Sequence, residues 1–343
     1  MADAAASSTP VEAELTTVAP DEAVIHHGDR VVRHVGLEPD TAYELDGFSF
    51  RTPPAPGELL ATVATVNDVH FGEEVCGISE GHADGPTFSV APGEPPYPET
   101  MNRAVVAEIL ALDPDAVVVK GDLTSTGADE EVAAFRAVYE PAFADRLTVV
   151  RGNHESFNHQ RHAAVPTKEV VVDGAILAVI DTSVDGGVGG TVTAEQLEWL
   201  DELGARADRP VLVLGHHHLG DRASHDKADH TFGIDVDASD ALRAVVARRP
   251  AIRGYFAGHT HRNRVRRFDD TGDVPWVEVA CVKDYPGMWA EYRVHEGAIL
   301  QIVHRIDDPA ALVWTEATRH MYHGLYRDYA LGSLADRCFA IPT

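Results

Sequence analysis

The sequence predicts a layered α/β fold, and three observations point to it. Short apolar runs alternate with amphipathic segments of helical period from Leu59 onward. The 343 residues are 44% hydrophobic and 24% charged, a globular balance with enough chain for one large domain or two modest ones. Polar motifs rich in Asp, Asn and His follow the apolar runs, where loops would leave a sheet.

Residues 1–21 are small, acidic and proline-containing and read as a disordered tail. Residues 22–56 read as a small N-terminal β-appendage and linker. From Ala23 to Thr52 apolar and polar residues alternate around the turn signals HHGDR and LEPDT, and Pro53 to Pro56 follow as the linker. GLEPDTAYELDGFSFRTPP resembles the last strands of a fibronectin type III module, although the segment is too short for a whole sandwich. The main domain is expected over 57–310 and a C-terminal extension over 311–343.

Within the main domain LLATVATV (59–66) reads as a buried strand. The Gly-, Pro- and acid-rich stretch 72–99 reads as a long loop, either a functional lid or disordered. A helix over 100–112, a strand at 116–120, a helix over 129–140 and a strand at 147–151 follow. A hairpin-like pair is expected at 169–181 and a flexible GGVGG turn at 186–190. The next helix, 194–204, has Thr193 as its N-cap. A strand at 210–215, a helix over 239–249 capped by Ser239 and a strand at 252–258 come next. Strand-like segments lie near 276–282, 289–294 and 298–305. The segment from Glu316 to Phe339 looks partly helical, and Trp314, Tyr322, Tyr326 and Tyr329 read as packing aromatics.

Composition narrows the function. Lys plus Arg number 28 against 55 Asp plus Glu, a formal net charge of −27, which repels phosphate backbones and argues against nucleic-acid binding. No apolar run reaches the 18 or so residues of a membrane span, and the N-terminus carries no recognisable export signal. The three cysteines, Cys76, Cys281 and Cys338, lie far apart and suit neither a disulfide framework nor a thiolate site. The expectation is a soluble, cytoplasmic protein; oligomeric state is left open.

Five motifs carry the chemistry, each at the end of an expected strand: Asn67-Asp68-Val69-His70, Gly121-Asp122, Gly152-Asn153-His154-Glu155, His216-His217-His218 and Gly258-His259-Thr260-His261. Carboxyl ends of parallel strands converge on one rim, so five ends deliver Asp, Asn and His to one place. Imidazole with carboxylate and amide oxygen suits Zn, Mn or Fe. Alternation lets Asp68 and His70, and likewise His259 and His261, face a common centre. Seven donors suit two ions that share a carboxylate. The glycines before Asp122, Asn153 and His259 are expected to allow sharp turns and leave room for substrate. His26, His27, His225 and His230 read as surface residues, and His217 and His218 as support around the site or solvated loop. Asp181 reads as strand-end hydrogen bonding or as support for the site, and Asp284 to Gly287 as a segment that borders the pocket or merely packs.

D-x-H, G-D, G-N-H-E, a strand ending in HHH and G-H-T-H, in this order, resemble the calcineurin-like metallophosphoesterases over roughly Leu59 to Tyr292. By spacing and by TVTAEQLEWL the chain is most similar to the branch with class III cyclic-nucleotide phosphodiesterases. The resemblance implies a four-layer αββα sandwich, two mixed β-sheets flanked by helices, with a binuclear centre of divalent or trivalent Mn, Fe or Zn. It implies Asp68, His70 and His261 on the first metal, Asp122 bridging, and Asn153, His216 and His259 on the second. His154 would be catalytic: with Asn153 it would touch the phosphate, and it would protonate the leaving group while a metal-bridging hydroxide attacks phosphorus. One departure stands out, because the family often carries a carboxylate three residues after the bridging Asp to orient the catalytic His. That position is Ser125 here; either Glu155 or the run Asp129-Glu130-Glu131 is the substitute, or protonation of His154 matters less. The implied activity is hydrolysis of a small phosphodiester, a 3′,5′-cyclic nucleotide being one candidate. Phosphomonoester hydrolysis and an inactive metal-binding scaffold are the alternatives. Arg103, Arg161, Lys168, Arg222 and Arg262 are the candidate cations for a monoester pocket.

Overall fold

The computed structural model of the protein describes residues 12–343 with the exception of Glu80. Two six-stranded mixed sheets form its centre. The first has the order Leu147–Val150, Ala116–Lys120, Leu59–Val66, Met288–His295, Ala298–Arg305 and Cys338–Pro342. Its first three strands are mutually parallel, and the pairings beyond them are antiparallel. The second has the order Thr167–Val172, Ala175–Ile180, Val211–Leu214, Ile252–Ala257, Trp276–Glu278 and Arg264–Arg266. Its four central strands are parallel and its edge strands antiparallel.

The period of two along each strand separates the layers. Val63, Val118, Leu177, Leu212 and Phe256 meet between the sheets. Val117 and Val119 point the other way, to Val105 and Ile109 of the helix Tyr97–Leu112 and Phe135 of Asp129–Phe143. The second sheet's outer face packs likewise on Ala194–Arg206 and Val236–Arg248 through Leu200, Leu203, Leu242 and Val245. The order helix, sheet, sheet, helix is the αββα sandwich. Each fully buried Val or Leu contributes roughly 1.5–3 kcal/mol relative to exposure.

Thr193 caps its helix as expected: its Oγ1 accepts from Gln196 N, and the Gln196 side chain accepts from Thr193 N. The helix expected to start at Ser239 starts a turn earlier. Asp235 is its cap, accepting from Ala238 N, and Ser239 is a buried residue whose Oγ donates to Ile234 O. The acidic cap wins because its charge also favours the helix N-terminus.

Both chain ends differ from expectation. Residues 1–11 of the expected tail lie outside the described residues, but Glu14–Val18 is a buried strand paired with Glu22–His27, which pairs in turn with Arg30–Val35. The Glu14 carboxylate is buried against Arg305, Arg319 and Arg327 and accepts from Tyr285 Oη at 2.9 Å. His26, expected at the surface, is fully buried beneath this strand, its Nδ1 2.8 Å from Thr16 Oγ1. Two short strands, Ala42–Leu45 and Phe48–Arg51, complete the N-terminal β-structure. At the other end the last strand supplies an edge of the first sheet, and Trp314 of the helix Pro309–Thr318 stacks on Tyr97 at 4.2 Å. The 72–99 stretch contains a hairpin, Cys76–Ser79 with His82–Phe88. Among the described residues no helix is long and apolar enough to cross a membrane.

Candidate metal centre

The rim where the five strands end joins the two sheets. Asp68 N donates to Gly121 O, and Val69 N and His70 N both donate to Asp122 O. Within the second sheet, Gly258 N donates to His216 O; across the sheets, His259 N reaches the Asp68 carboxylate at 3.0 Å, and buried Lys120 Nζ donates to Ala257 O at 2.8 Å.

Asp122 is the hub. Its Oδ1 accepts from His154 N at 3.0 Å. Around its Oδ2 stand His216 Nε2 at 3.3 Å, His70 Nε2 at 3.6 Å and His154 Nε2 at 3.9 Å. Asn153 Oδ1 lies 3.1 Å from His216 Nε2, and His261 Nε2 lies 3.6 Å from Asp68 Oδ1. Asp68, His70 and His261 thus converge as one donor group, and Asp68, Asp122 and His216 as another. His259 joins a third with His216 and His217. His216 faces the hub, its Nδ1 held by Lys120 O at 2.8 Å. His217 stands beside His259, but its two ring nitrogens are already engaged by Thr182 Oγ1 and Val188 O. His218 lies beside Ala228 O and Asp229.

The backbone reaches this arrangement by kinks. Asp68, His70, Asp122, His259 and His261 all have positive φ, between 47° and 68°. Each such non-glycine residue costs roughly 1–3 kcal/mol, and they gather here. Extended alternation therefore does not bring Asp68 and His70 together, as the sequence suggested; left-handed turns do. The glycines meet the expectation only in part: Gly121 does turn sharply, with a φ of 85°, but the space they leave is not for substrate. A Cβ on Gly258 would meet Asp68 Oδ2 at 2.7 Å, and one on Gly152 would collide with the Asp122 carboxylate. The room they leave is filled by donor side chains, not by substrate.

Electrostatics fit a cation. Burial would raise Asp122, but His216, His154 and His70 hold it well below the carboxylate range. Asp68 is likewise lowered against its burial, by His261 and His216. Burial alone would lower His216, yet Asp122 and Asp68 lift it to about 9, and His261 is raised well above 6.5 against its burial by Cys281 and Asp68. Burial and Lys283 push His70 down to about 4. Both ring nitrogens of buried His70 lack a hydrogen-bond partner. Nδ1 is 3.0 Å from Glu73 Oε2 but out of hydrogen-bonding alignment. Two ionised buried carboxylates, an amide oxygen and imidazoles with free nitrogens are a donor set suited to transition-metal ions.

His154 is oriented by a route the sequence did not reveal. Its Nδ1 lies 2.5 Å from the Ser125 main-chain carbonyl. Neither expected acid substitutes for the missing carboxylate. Glu155 is fully buried and accepts from Thr124 N, Thr124 Oγ1 and Gly152 N, clamping the Asp122 and His154 loops together. Glu131 instead accepts from Thr126 N. Asp181 pairs with Arg151 at 2.7 Å, and Asp284 accepts from Tyr326 Oη at 2.8 Å beside Cys281 and His261. Of the candidate cations, Arg103 pairs with Glu99, Arg161 with Asp185, Arg222 with Asp237 and Asp240, and Arg262 with Glu278. Lys168 is exposed on an edge strand.

Sequence reasoning missed three residues. Asn67 Nδ2 donates to the Asp68 carboxylate and to Val279 O. Lys120 spans the sheets, and Lys283 holds Glu73 at 2.6 Å. The legible signals were an amide beside Asp68 and a lysine closing an otherwise apolar strand.

Residues 61–263 match the family model of the calcineurin-like phosphoesterases. The chain belongs to that family. All seven donors and His154 fall inside the matched stretch of this calcineurin-like phosphoesterase. It is 32% identical over 162 residues to a cAMP/cGMP dual specificity phosphodiesterase of Mycobacterium tuberculosis, covering 44% of this chain and 49% of that one. It is 31% identical over 178 residues to a glycerophosphodiester phosphodiesterase of Enterobacter lignolyticus, covering 47% and 61%. The chain thus spans about half to three fifths of the curated relatives it matches. In fold it is similar to a dimetal phosphatase of Danio rerio, at a TM-score of 0.59 and 15% identity over 73% of this chain and 98% of that one.

Proposed function

We propose that this calcineurin-like phosphoesterase is a binuclear-metal-dependent phosphodiesterase, with a 3′,5′-cyclic nucleotide as the substrate that best fits its relatives' names. The observation that carries the reading is the arrangement about Asp122, where one buried carboxylate is shared by His70, His154 and His216 within 3.9 Å. Asp68, His70 and His261 would hold one ion, Asn153, His216 and His259 the other, and Asp122 both. When bound, such ions supply Lewis-acid polarisation of phosphoryl oxygens and acidify water.

The chain's own residues supply orientation and a proton. A carbonyl only accepts, so the Ser125 contact places hydrogen on Nδ1 of His154 and leaves Nε2 to face the centre. Charged, His154 donates from Nε2 to a phosphoryl oxygen and passes that proton to the departing alkoxide. Asn153, held beside His216, directs its remaining polarity to the same phosphoryl group.

The test is hydrolysis of bis-p-nitrophenyl phosphate against p-nitrophenyl phosphate with Mn²⁺, followed by cyclic AMP. Faster turnover of the diester supports the reading. A clear preference for the monoester, or no turnover of either by metal-replete protein, contradicts it.

A further inference from the structure

We propose that Phe157 determines specificity at this site. Its ring is a platform on which a planar aromatic group of the ester, such as a nucleobase, stacks while the phosphoryl group lies against the donors around Asp122. The proposal rests on the phosphodiesterase reading and adds to it the residue that would favour esters with an aromatic base over purely alkyl ones.

Phe157 ends the short helix Asn153–Phe157, whose other residues are committed to the centre. Asn153 lies against His216, His154 faces Asp122, Glu155 clamps two loops, and Ser156 Oγ donates to Asn153 O. Phe157 alone has no such task. It is 41% exposed and takes part in none of the hydrophobic clusters among the described residues. Its position is specific nonetheless. Ring centroids form a chain from His261 to His70 at 5.4 Å, from His70 to His154 at 4.5 Å, and outward from His154 to Phe157 at 5.2 Å. Phe157 is therefore the next ring beyond the residue assigned to the leaving group.

The surroundings suit a flat, apolar guest. The loop beside it is fixed to the helix, with Gly186 N donating to Ser156 O at 3.1 Å and Ser156 Oγ 3.4 Å from Gly187 O. That loop adds two exposed apolar residues, Val184 and Val188, and a Cβ built on Gly186 would meet nothing within 4 Å. The nearby acid does not repel an anionic ester, because Asp185 is paired with both Arg151 and Arg161. An aromatic face left in water beside a phosphoryl site gains most from stacking, which tolerates any base because every base has a π-face.

The experiment is calorimetric titration of Mn²⁺-loaded protein with adenosine 5′-monophosphate and with ribose 5-phosphate, which share phosphate and sugar and differ in the base. The wild type is expected to bind the nucleotide roughly tenfold or more tightly, within the range of single-base stacking. Phe157→Ala should bring the two affinities together, Phe157→Trp should keep the preference, and Phe157→Leu, apolar but not planar, should lose most of it. Circular dichroism and metal content check that each variant is intact, which the exposure of the ring favours. Equal affinities in the wild type, no measurable nucleotide binding, or a preference that survives in Phe157→Ala overturns the proposal. Diester hydrolysis without a base preference removes this inference and keeps the phosphodiesterase reading. A Phe157-dependent base preference without any hydrolysis removes the phosphodiesterase reading and leaves only a base-binding surface, so specificity for the reaction falls with it.

Discussion

Replacing Glu155 tests whether two strand-end loops must be clamped for the centre to form. Its carboxylate is fully buried and receives three hydrogen bonds: Thr124 N at 2.9 Å and Thr124 Oγ1 at 2.6 Å on one oxygen, Gly152 N at 2.7 Å on the other. Glu155→Ala leaves two backbone N–H groups buried without partners. At about 1–3 kcal/mol for each unsatisfied group, the loss is roughly 2–6 kcal/mol before any cavity cost. Glu155→Gln keeps the shape and one acceptor, but its amide confronts Gly152 N or Thr124 N donor to donor, so about 1–3 kcal/mol is lost. Part of that loss is offset, since burial and the Asp122 charge both disfavour an ionised Glu155 and raise its pKa. The order of stability is therefore wild type, Gln, Ala. Urea denaturation of metal-free protein measures it without the added stability of bound ions. Metal content of the reloaded variants should follow the same order. An alanine variant as stable as the wild type within about 0.5 kcal/mol and equally rich in metal would refute the clamp.

Two further outcomes are expected. Burial, with Arg305 and Arg33, holds His26 down at about 2 against an ordinary 6.5, so the folded state keeps it neutral while the unfolded chain takes up a proton below pH 6.5. Its contribution is complete above 6.5 and shrinks as pH falls, by about 2 kcal/mol between pH 7.5 and 5. Denaturation across that window should give a flatter profile for His26→Gln, and parallel profiles would contradict the assignment. For His154→Ala, turnover should fall by roughly 10²- to 10⁴-fold while metal content stays near wild type, because the proposed seven-residue donor set is complete without this residue, although it stands beside Asp122 and His70. Equal loss of both would make it a ligand.

Much of this centre was legible in the sequence, and what was not has physical reasons. Short apolar runs ending in Asp68, Asp122, Asn153, His216 and His259 announce strands that open on one rim, because parallel strands place their carboxyl ends together. Which of three consecutive histidines turns inward depends on where the strand stops. Val211–Leu214 ends two residues before His216, and only the structure shows His217 engaged by Thr182 and Val188. The hold on His154 was invisible because it comes from a backbone carbonyl, which every residue carries. The five left-handed donors and the crowding at Gly152 and Gly258 are conformational facts without a side-chain signature. The strand Glu14–Val18 was lost in an acidic, small-residue stretch whose order comes from distant arginines, Arg305 and Arg327. The helix cap moved from Ser239 to Asp235 because both residues are competent caps and the charge of the acidic one also favours the helix N-terminus.

A crystal of Mn²⁺-loaded protein, measured on both sides of the manganese absorption edge, tests the central claim most directly. The account predicts two anomalous peaks on either side of the Asp122 carboxylate, one among Asp68, His70 and His261 and the other among Asn153, His216 and His259. A single peak, or none within reach of Asp122, would contradict it.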